Sequence, residues 1–100
     1  MSRIQVDHDT LARFCQANHI RKLALFGSVL RDDFGPDSDV DVLVEFEPGR
    51  EPGLIRLSGM ELELAGLFRG RKVDLRTAED LSIYFRDQVT ATAEVQYAAG

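Results

Sequence analysis

The chain has little of several residue types, and each shortage excludes a class of protein. Cys15 is the one cysteine among 100 residues, so neither an internal disulfide nor a multi-cysteine zinc site is possible. No apolar run approaches the ~18–20 residues that span a bilayer, and residues 1–7 contain no hydrophobic signal segment. We therefore expect a protein of the reducing cytoplasm, with Cys15 buried as a small hydrophobic residue and no membrane partner.

Basic residues are also few. Twelve Lys and Arg stand against seventeen Asp and Glu, which gives a formal net charge of −5 at pH 7. Binding to a nucleic-acid backbone needs a basic surface that displaces counterions, so a nucleic-acid partner is disfavoured. A chain of 100 residues holds one hydrophobic core, and we expect residues 1–100 to form a single domain.

The apolar pattern predicts helices that alternate with strands. Helices are expected over 8–19, 28–33, 54–70 and from 78 to the end, and strands over 22–26, 39–46 and 72–76. Segment 39–46 has apolar residues on both faces and is expected to be central in the sheet, while Tyr97 is expected on the last helix, in the core or at an interface. The predicted class is α+β (α/β), a small mixed sheet of three or more strands with helices packed on it.

Gly27-Ser28 follows the first predicted strand and precedes a helical segment. Backbone N–H groups and a hydroxyl at a helix N-terminus favour phosphate, and a glycine lets a ligand approach the backbone closely. A turn glycine followed by an N-cap serine is the competing interpretation of this dipeptide.

Three aspartates form the second candidate feature. Asp39 and Asp41 lie two apart on the strongest predicted strand, so both carboxylates leave the same face. At about 4 Å and an effective dielectric of ~20, two such charges repel by roughly 4 kcal/mol, which protonation or a divalent cation offsets. If Asp74, in the third predicted strand, faces the same side, the three acids suit Mg²⁺ or Mn²⁺. The competing interpretation is a frayed strand end with solvated aspartates.

The two features together resemble a known motif. Gly27-Ser28, ten intervening residues and then Asp39-Val40-Asp41 are similar to the nucleotidyltransferase signature of the DNA polymerase beta superfamily. Arg31 matches an arginine of that pattern, whereas Asp32 stands where many relatives have glycine. Because no further substrate-binding domain is present, the chain resembles the minimal nucleotidyltransferases, and the resemblance implies their palm-like fold.

The resemblance also implies roles for individual residues. Binding of the nucleoside triphosphate, ATP, falls to Gly27, Ser28 and Arg31. Binding of two Mg²⁺ ions, and with it catalysis, falls to Asp39, Asp41 and Asp74, of which Asp74 helps to activate the acceptor hydroxyl.

A function and a partner follow from the same resemblance. Minimal nucleotidyltransferases are commonly paired with a HEPN-domain toxin, and some transfer AMP from ATP to a tyrosine of that toxin. The chain is accordingly expected to be the antitoxin of such a pair and to form a hetero-oligomer with it. Two alternatives stay open: an antitoxin that neutralises its toxin by direct binding alone, and a nucleotidyltransferase that acts on a small molecule.

Overall fold

The computed structural model describes residues 7–27, 35, 39–77, 80 and 83–99. Along this part of the chain the elements are α1 (His8–Ala17), β1 (Ile20–Phe26), β2 (Val40–Phe46), α2 (Leu54–Leu67), β3 (Val73–Arg76), α3 (Ile83–Thr92) and β4 (Glu94–Ala98). The helix expected over 28–33 lies outside the described residues. Among the helices in the described ranges, none has the length and apolar character to cross a membrane.

The four strands form one sheet in the order β3-β2-β1-β4. β2 runs parallel to β3, and β1 is antiparallel to both of its neighbours. The sheet is therefore mixed, and β2 takes an interior position, as its apolar character predicted. The expected α+β class is confirmed.

Helices α1 and α2 cover one face of this sheet, which we call the core face. Alternate residues of β2 point into it, because side chains of a strand alternate between faces. Burial raises the pKa of the Cys15 thiol to about 12, and its side chain is fully buried, as expected. The largest fully buried side chains include Leu11, Leu23, Leu25, Val40, Val42, Leu64 and Phe68.

Helix α1 has a defined start and end. The Asp7 side chain caps it, accepting hydrogen bonds from the Asp9 amide at 3.0 Å and the Thr10 hydroxyl at 2.9 Å. The helix ends at Ala17 rather than at the predicted residue 19, because His19 adopts a left-handed conformation with φ 58°. Between them, the buried Asn18 side chain accepts a hydrogen bond from the Arg56 guanidinium. This contact joins the end of α1 to the start of α2.

A carboxylate from α2 covers part of the outer edge of β3. The Val40 amide donates to the Lys72 carbonyl at 2.8 Å. The backbone N–H and C=O groups of even-numbered residues in β3 are therefore directed toward β2, and the Leu75 amide is directed away from β2. Glu61 Oε2 accepts a hydrogen bond from that amide at 2.8 Å. An edge N–H group is thus satisfied within the chain.

The prediction of a helix that continues to the end of the chain is wrong. Helix α3 ends at Thr92, and Glu94–Ala98 form β4, which pairs antiparallel with β1. Val95 and Tyr97 alternate with polar residues in this segment, the period of a strand rather than of a helix. Tyr97 therefore belongs to a strand, where its side chain packs against the core.

Candidate active site

Two of the predicted acidic residues meet on the face of the sheet opposite the core face, which we call the second face. Asp41 of β2 is the direct register partner of Asp74 of β3. Their neighbours Val40 and Val73 are buried in the core, so both carboxylates leave on the second face, where each residue is half-buried. Neighbouring strands lie about 4.8 Å apart. The expectation that Asp74 faces the same side as Asp41 agrees with this register.

Gly27 ends β1 immediately beside this pair. Asp41 pairs in register with Phe26, the residue before Gly27, and Gly27 has φ +73°, a value that L side chains rarely adopt. A Cβ atom added at Gly27 would overlap Asp41 Oδ2 and lie 3.2 Å from Asp41 Cγ. The glycine therefore provides both the backbone conformation and the space that the Asp41 carboxylate occupies.

Asp39 lies directly before β2 and is exposed. Val40, which separates it from Asp41, is fully buried in the core. Alternation about Val40 favours the second face for both aspartates, which is the arrangement that their spacing predicted. Ser28 and Arg31 lie outside the described residues, so their proposed contacts with the nucleotide stay predictions.

Sequence reasoning missed a basic partner of the site. The Arg76 guanidinium lies 3.2 Å from Asp74 Oδ2, and both side chains are partly exposed on the second face of β3. Residues two apart in a strand share a face, so the i, i+2 spacing is the signal that could have found this pair. The positive charge of Arg76 offsets part of the repulsion between the carboxylates of Asp41 and Asp74.

The acids fit a divalent cation in their chemistry. Carboxylate oxygens are the ligands that Mg²⁺ prefers, and a cation would relieve the repulsion between Asp41 and Asp74. Within the described ranges, no three His, Cys, Asp or Glu side chains are already gathered closely enough to hold a metal ion. The structure therefore supports a shared face for Asp41 and Asp74 rather than a completed coordination shell.

A groove with a volume of about 720 Å³ opens near the carboxyl ends of β2 and β3. It adjoins the acids, since Leu43 follows Asp41 by two residues and Thr77 directly follows β3. Of the predicted site residues that the structure describes, Gly27, Asp39, Asp41 and Asp74, none lines it. Its described lining residues are Lys22, Ala24, Leu43, Val44, Glu45, Phe46, Glu51, Pro52, Leu54, Leu57, Thr77 and Asp80.

Comparison with known proteins identifies the family. The model of the nucleotidyltransferase domain family matches residues 8–95. The chain belongs to this family. The match covers Gly27 and all three aspartates in one continuous stretch, and it confirms the family to which the motif pointed.

Two curated relatives come from archaea. The chain is 41% identical over 56 residues to "Protein adenylyltransferase MntA" of Thermococcus cleftensis. The aligned stretch covers 56% of this chain and 54% of that protein. It is 30% identical over 70 residues to "Putative protein adenylyltransferase MJ0435" of Methanocaldococcus jannaschii, which covers 70% and 72% respectively. The chain thus spans about half the length of the first relative.

Solved structures share the fold. A protein described as "Structure of putative minimal nucleotidyltransferase" is 34% identical, with a TM-score of 0.69 over 86% of this chain and 85% of that one. A toxin–antitoxin complex with AMP-PNP gives a TM-score of 0.72 at 19% identity, over 94% and 75% of the two chains. The MntA–HepT toxin–antitoxin gives 0.64 at 18% identity, over 92% and 70%. At these lower identities the likeness concerns the fold alone.

Proposed function

We propose that this nucleotidyltransferase-family protein uses Mg²⁺ to transfer AMP from ATP to a hydroxyl group, with tyrosine as the expected acceptor, on a partner protein. The observation that carries the proposal is the register pairing of Asp41 with Asp74 on the second face, beside the backbone of Gly27. This places two carboxylates next to the turn where phosphate binding is predicted.

The relatives suggest which protein accepts the AMP. One is named a protein adenylyltransferase, and chains with the same fold occur in toxin–antitoxin structures. We therefore propose that the partner is a HEPN-domain toxin and that this chain is its antitoxin, acting in the cytoplasm.

The reaction forms one bond and breaks another at the α-phosphorus of ATP. The acceptor oxygen attacks that phosphorus, the bond to the bridging oxygen breaks, and pyrophosphate leaves. Asp74 takes the proton of the attacking hydroxyl, and Asp41 with Asp39 provides oxygen ligands on the same face. Asp39, Asp41 and Asp74 would hold the two Mg²⁺ ions, which would supply neutralisation of the phosphate charge. Gly27 contributes its backbone to the phosphate-binding turn and leaves space for the Asp41 carboxylate, while Ser28 and Arg31 bind the phosphates.

The groove beside the acids provides room for the acceptor. It continues along β2 from Leu43, two residues beyond Asp41, and its lining includes the acidic residues Glu45, Glu51 and Asp80 against one lysine, Lys22. We expect a segment of the partner to enter here, with basic residues close to the acceptor hydroxyl, because opposite charges favour correct docking.

Label transfer tests the proposal. The purified protein and Mg²⁺ are added to a lysate of the source organism with each α-labelled nucleoside triphosphate in turn. We expect ATP to label one protein band with the wild type and with the matched control Asp87→Asn, which removes an exposed carboxylate on α3. Asp41→Asn and Asp74→Asn should give no such band, and circular dichroism verifies that each variant is folded.

The other outcomes separate the alternatives. Equal labelling by wild type and folded Asp41→Asn contradicts the site. Label found only on a small molecule supports the small-molecule enzyme. No label, while the wild type still captures a specific partner, supports an antitoxin that acts by binding alone.

A further inference from the structure

Helix α2 has large apolar side chains on the side that faces away from the core. Ile55 is 92% exposed and Leu62 is 77% exposed, whereas Met60 and Leu64 on the opposite side are buried. At 100° per residue, Ile55 and Leu62 lie two turns apart on one stripe. We call the stripe formed by Ile55, Ser58, Gly59, Leu62 and Gly66 the outer face of α2. Large apolar side chains exposed on one stripe of a helix are candidates for an interaction surface.

The outer face is complementary to itself. The midpoint between Ile55 and Leu62 falls between Ser58 and Gly59, so two copies of α2 crossing antiparallel there place Ile55 of each against Leu62 of the other. A Cβ added at Gly59 would meet nothing within 4 Å in its own chain. The residue at the crossing point thus carries no side chain to hold the two helices apart.

The charges beside this stripe repeat the same symmetry. Arg56 and Glu63 lie on one flank of the outer face. The midpoint between them along the helix is one residue from the midpoint between Ile55 and Leu62. They are seven residues apart, about 10 Å along the axis, and cannot pair within one helix. In an antiparallel pair the same flanks meet, so Arg56 of one copy faces Glu63 of the other. Arg56 donates to Asn18, and a guanidinium with five N–H donors retains others for this contact.

We propose that the outer face of α2 is a self-association surface on which two copies of the chain pair antiparallel about a twofold axis near Gly59. A 14-residue helix is about 21 Å long, so a pair of single helices forms a small contact beside stable interfaces, which bury about 1,200–2,000 Å². The dimer is therefore weak and forms at high concentration. Because α2 covers the core face, Asp41 and Asp74 lie on the opposite side of the sheet. The proposal does not depend on the proposed function.

Reciprocal charge reversal tests the pairing. Sedimentation equilibrium of the full chain from about 10 µM to about 1 mM should show a dimer for the wild type. Arg56→Glu and Glu63→Arg should each weaken dimerisation by about tenfold or more, because both interchain pairs then become repulsive. An equimolar mixture of the two variants should restore a dimer, since an acidic side chain meets a basic one at both contacts of the mixed pair. Arg50→Glu, the same charge change in an exposed loop, should leave dimerisation unchanged.

Further variants separate pairing from folding. Glu63→Arg leaves the Arg56–Asn18 contact in place, so its effect does not arise from that lost bond, and Leu62→Glu should abolish the dimer while circular dichroism stays native. A wild type that is monomeric at 1 mM overturns the proposal. So does a mixture that fails to regain the dimer, or a Leu62→Glu variant whose only defect is loss of binding to a different protein.

Discussion

The carboxylate of Asp41 occupies the space that a side chain at Gly27 would need. The end of β1 and the start of β2 are therefore complementary in shape, because Gly27 lacks a Cβ atom where the carboxylate of Asp41 lies. This relationship joins the two halves of the sequence motif, the glycine of the proposed phosphate-binding turn and an aspartate of the pair.

Gly27→Ala should weaken Mg²⁺-dependent ATP binding more than backbone strain alone explains. The added methyl group meets Asp41, and φ +73° costs a non-glycine residue about 1–2 kcal/mol of unfolding free energy. Gly49→Ala is the matched control, because Gly49 has φ +77° but open space around its Cβ position. Gly27→Ala should lose at least as much stability in urea as Gly49→Ala, and Gly27→Ala alone should lower Mg²⁺-dependent ATP binding by at least about tenfold. Equal ATP binding by the two variants would contradict this role.

Arg76→Gln should lower the Mg²⁺ concentration that half-saturates ATP binding by about two- to fivefold. Removal of the guanidinium leaves Asp74 without its nearby positive charge, so the acids attract a cation more strongly. The exposed pair contributes little to stability, and the unfolding free energy should change by less than about 1 kcal/mol. Arg50→Gln provides the control in titrations followed by calorimetry. A rise in the required Mg²⁺ would show that Arg76 binds phosphate instead.

The Asp7 cap should make α1 sensitive to acid. Hydrogen bonds from the Thr10 hydroxyl, and then from the Asp9 amide, hold the pKa of Asp7 below its ordinary 3.8. A lowered pKa stabilises the fold above about pH 3.8, and that stabilisation is lost as the pH falls through the folded-state value. Asp7→Ala should lower Tm at pH 7, and its difference from the wild type should shrink in acid. The Asn side chain in Asp7→Asn accepts the same hydrogen bonds without a charge. This variant should have a Tm close to that of the wild type both at pH 7 and in acid.

Cys15 should resist alkylation while the protein is folded. With a pKa of about 12, only about one thiol in ten thousand is ionised at pH 8, and the thiolate is the reactive form. Mass spectrometry should show negligible modification by iodoacetamide in buffer and rapid modification in guanidinium chloride. Fast labelling of the native protein would mean that α1 opens readily.

The parts of the fold that could be predicted have strong local signals. Val40–Phe46 is rich in β-branched residues, which indicated a central strand, and the apolar spacing of 54–67 indicated α2. Asp39 and Asp41 could be placed on a shared face because residues two apart in a strand take the same side, whereas the side taken by Asp74 depended on a strand pairing that the sequence left open. Family membership followed from the combined glycine and aspartate motif.

The parts that could not be predicted depend on partners distant in sequence. Residues 94–98 form a strand because β1 provides an antiparallel edge for them, and five residues alone give too weak a signal to outweigh the helical spacing before them. The contact between Arg56 and Asn18 likewise joins residues 38 positions apart. Strand direction depends on the same distant pairing, which is why the parallel arrangement of β2 and β3 was not predicted.

Glu61 has a consequence for the pairing of this sheet with a strand of another copy. By accepting the Leu75 amide hydrogen, it removes a donor that an incoming strand would use at the outer edge of β3. A carboxylate there also repels the acidic surfaces of other copies. An incoming strand would therefore find one donor fewer at this edge, which disfavours sheet extension, the route to amyloid-like growth.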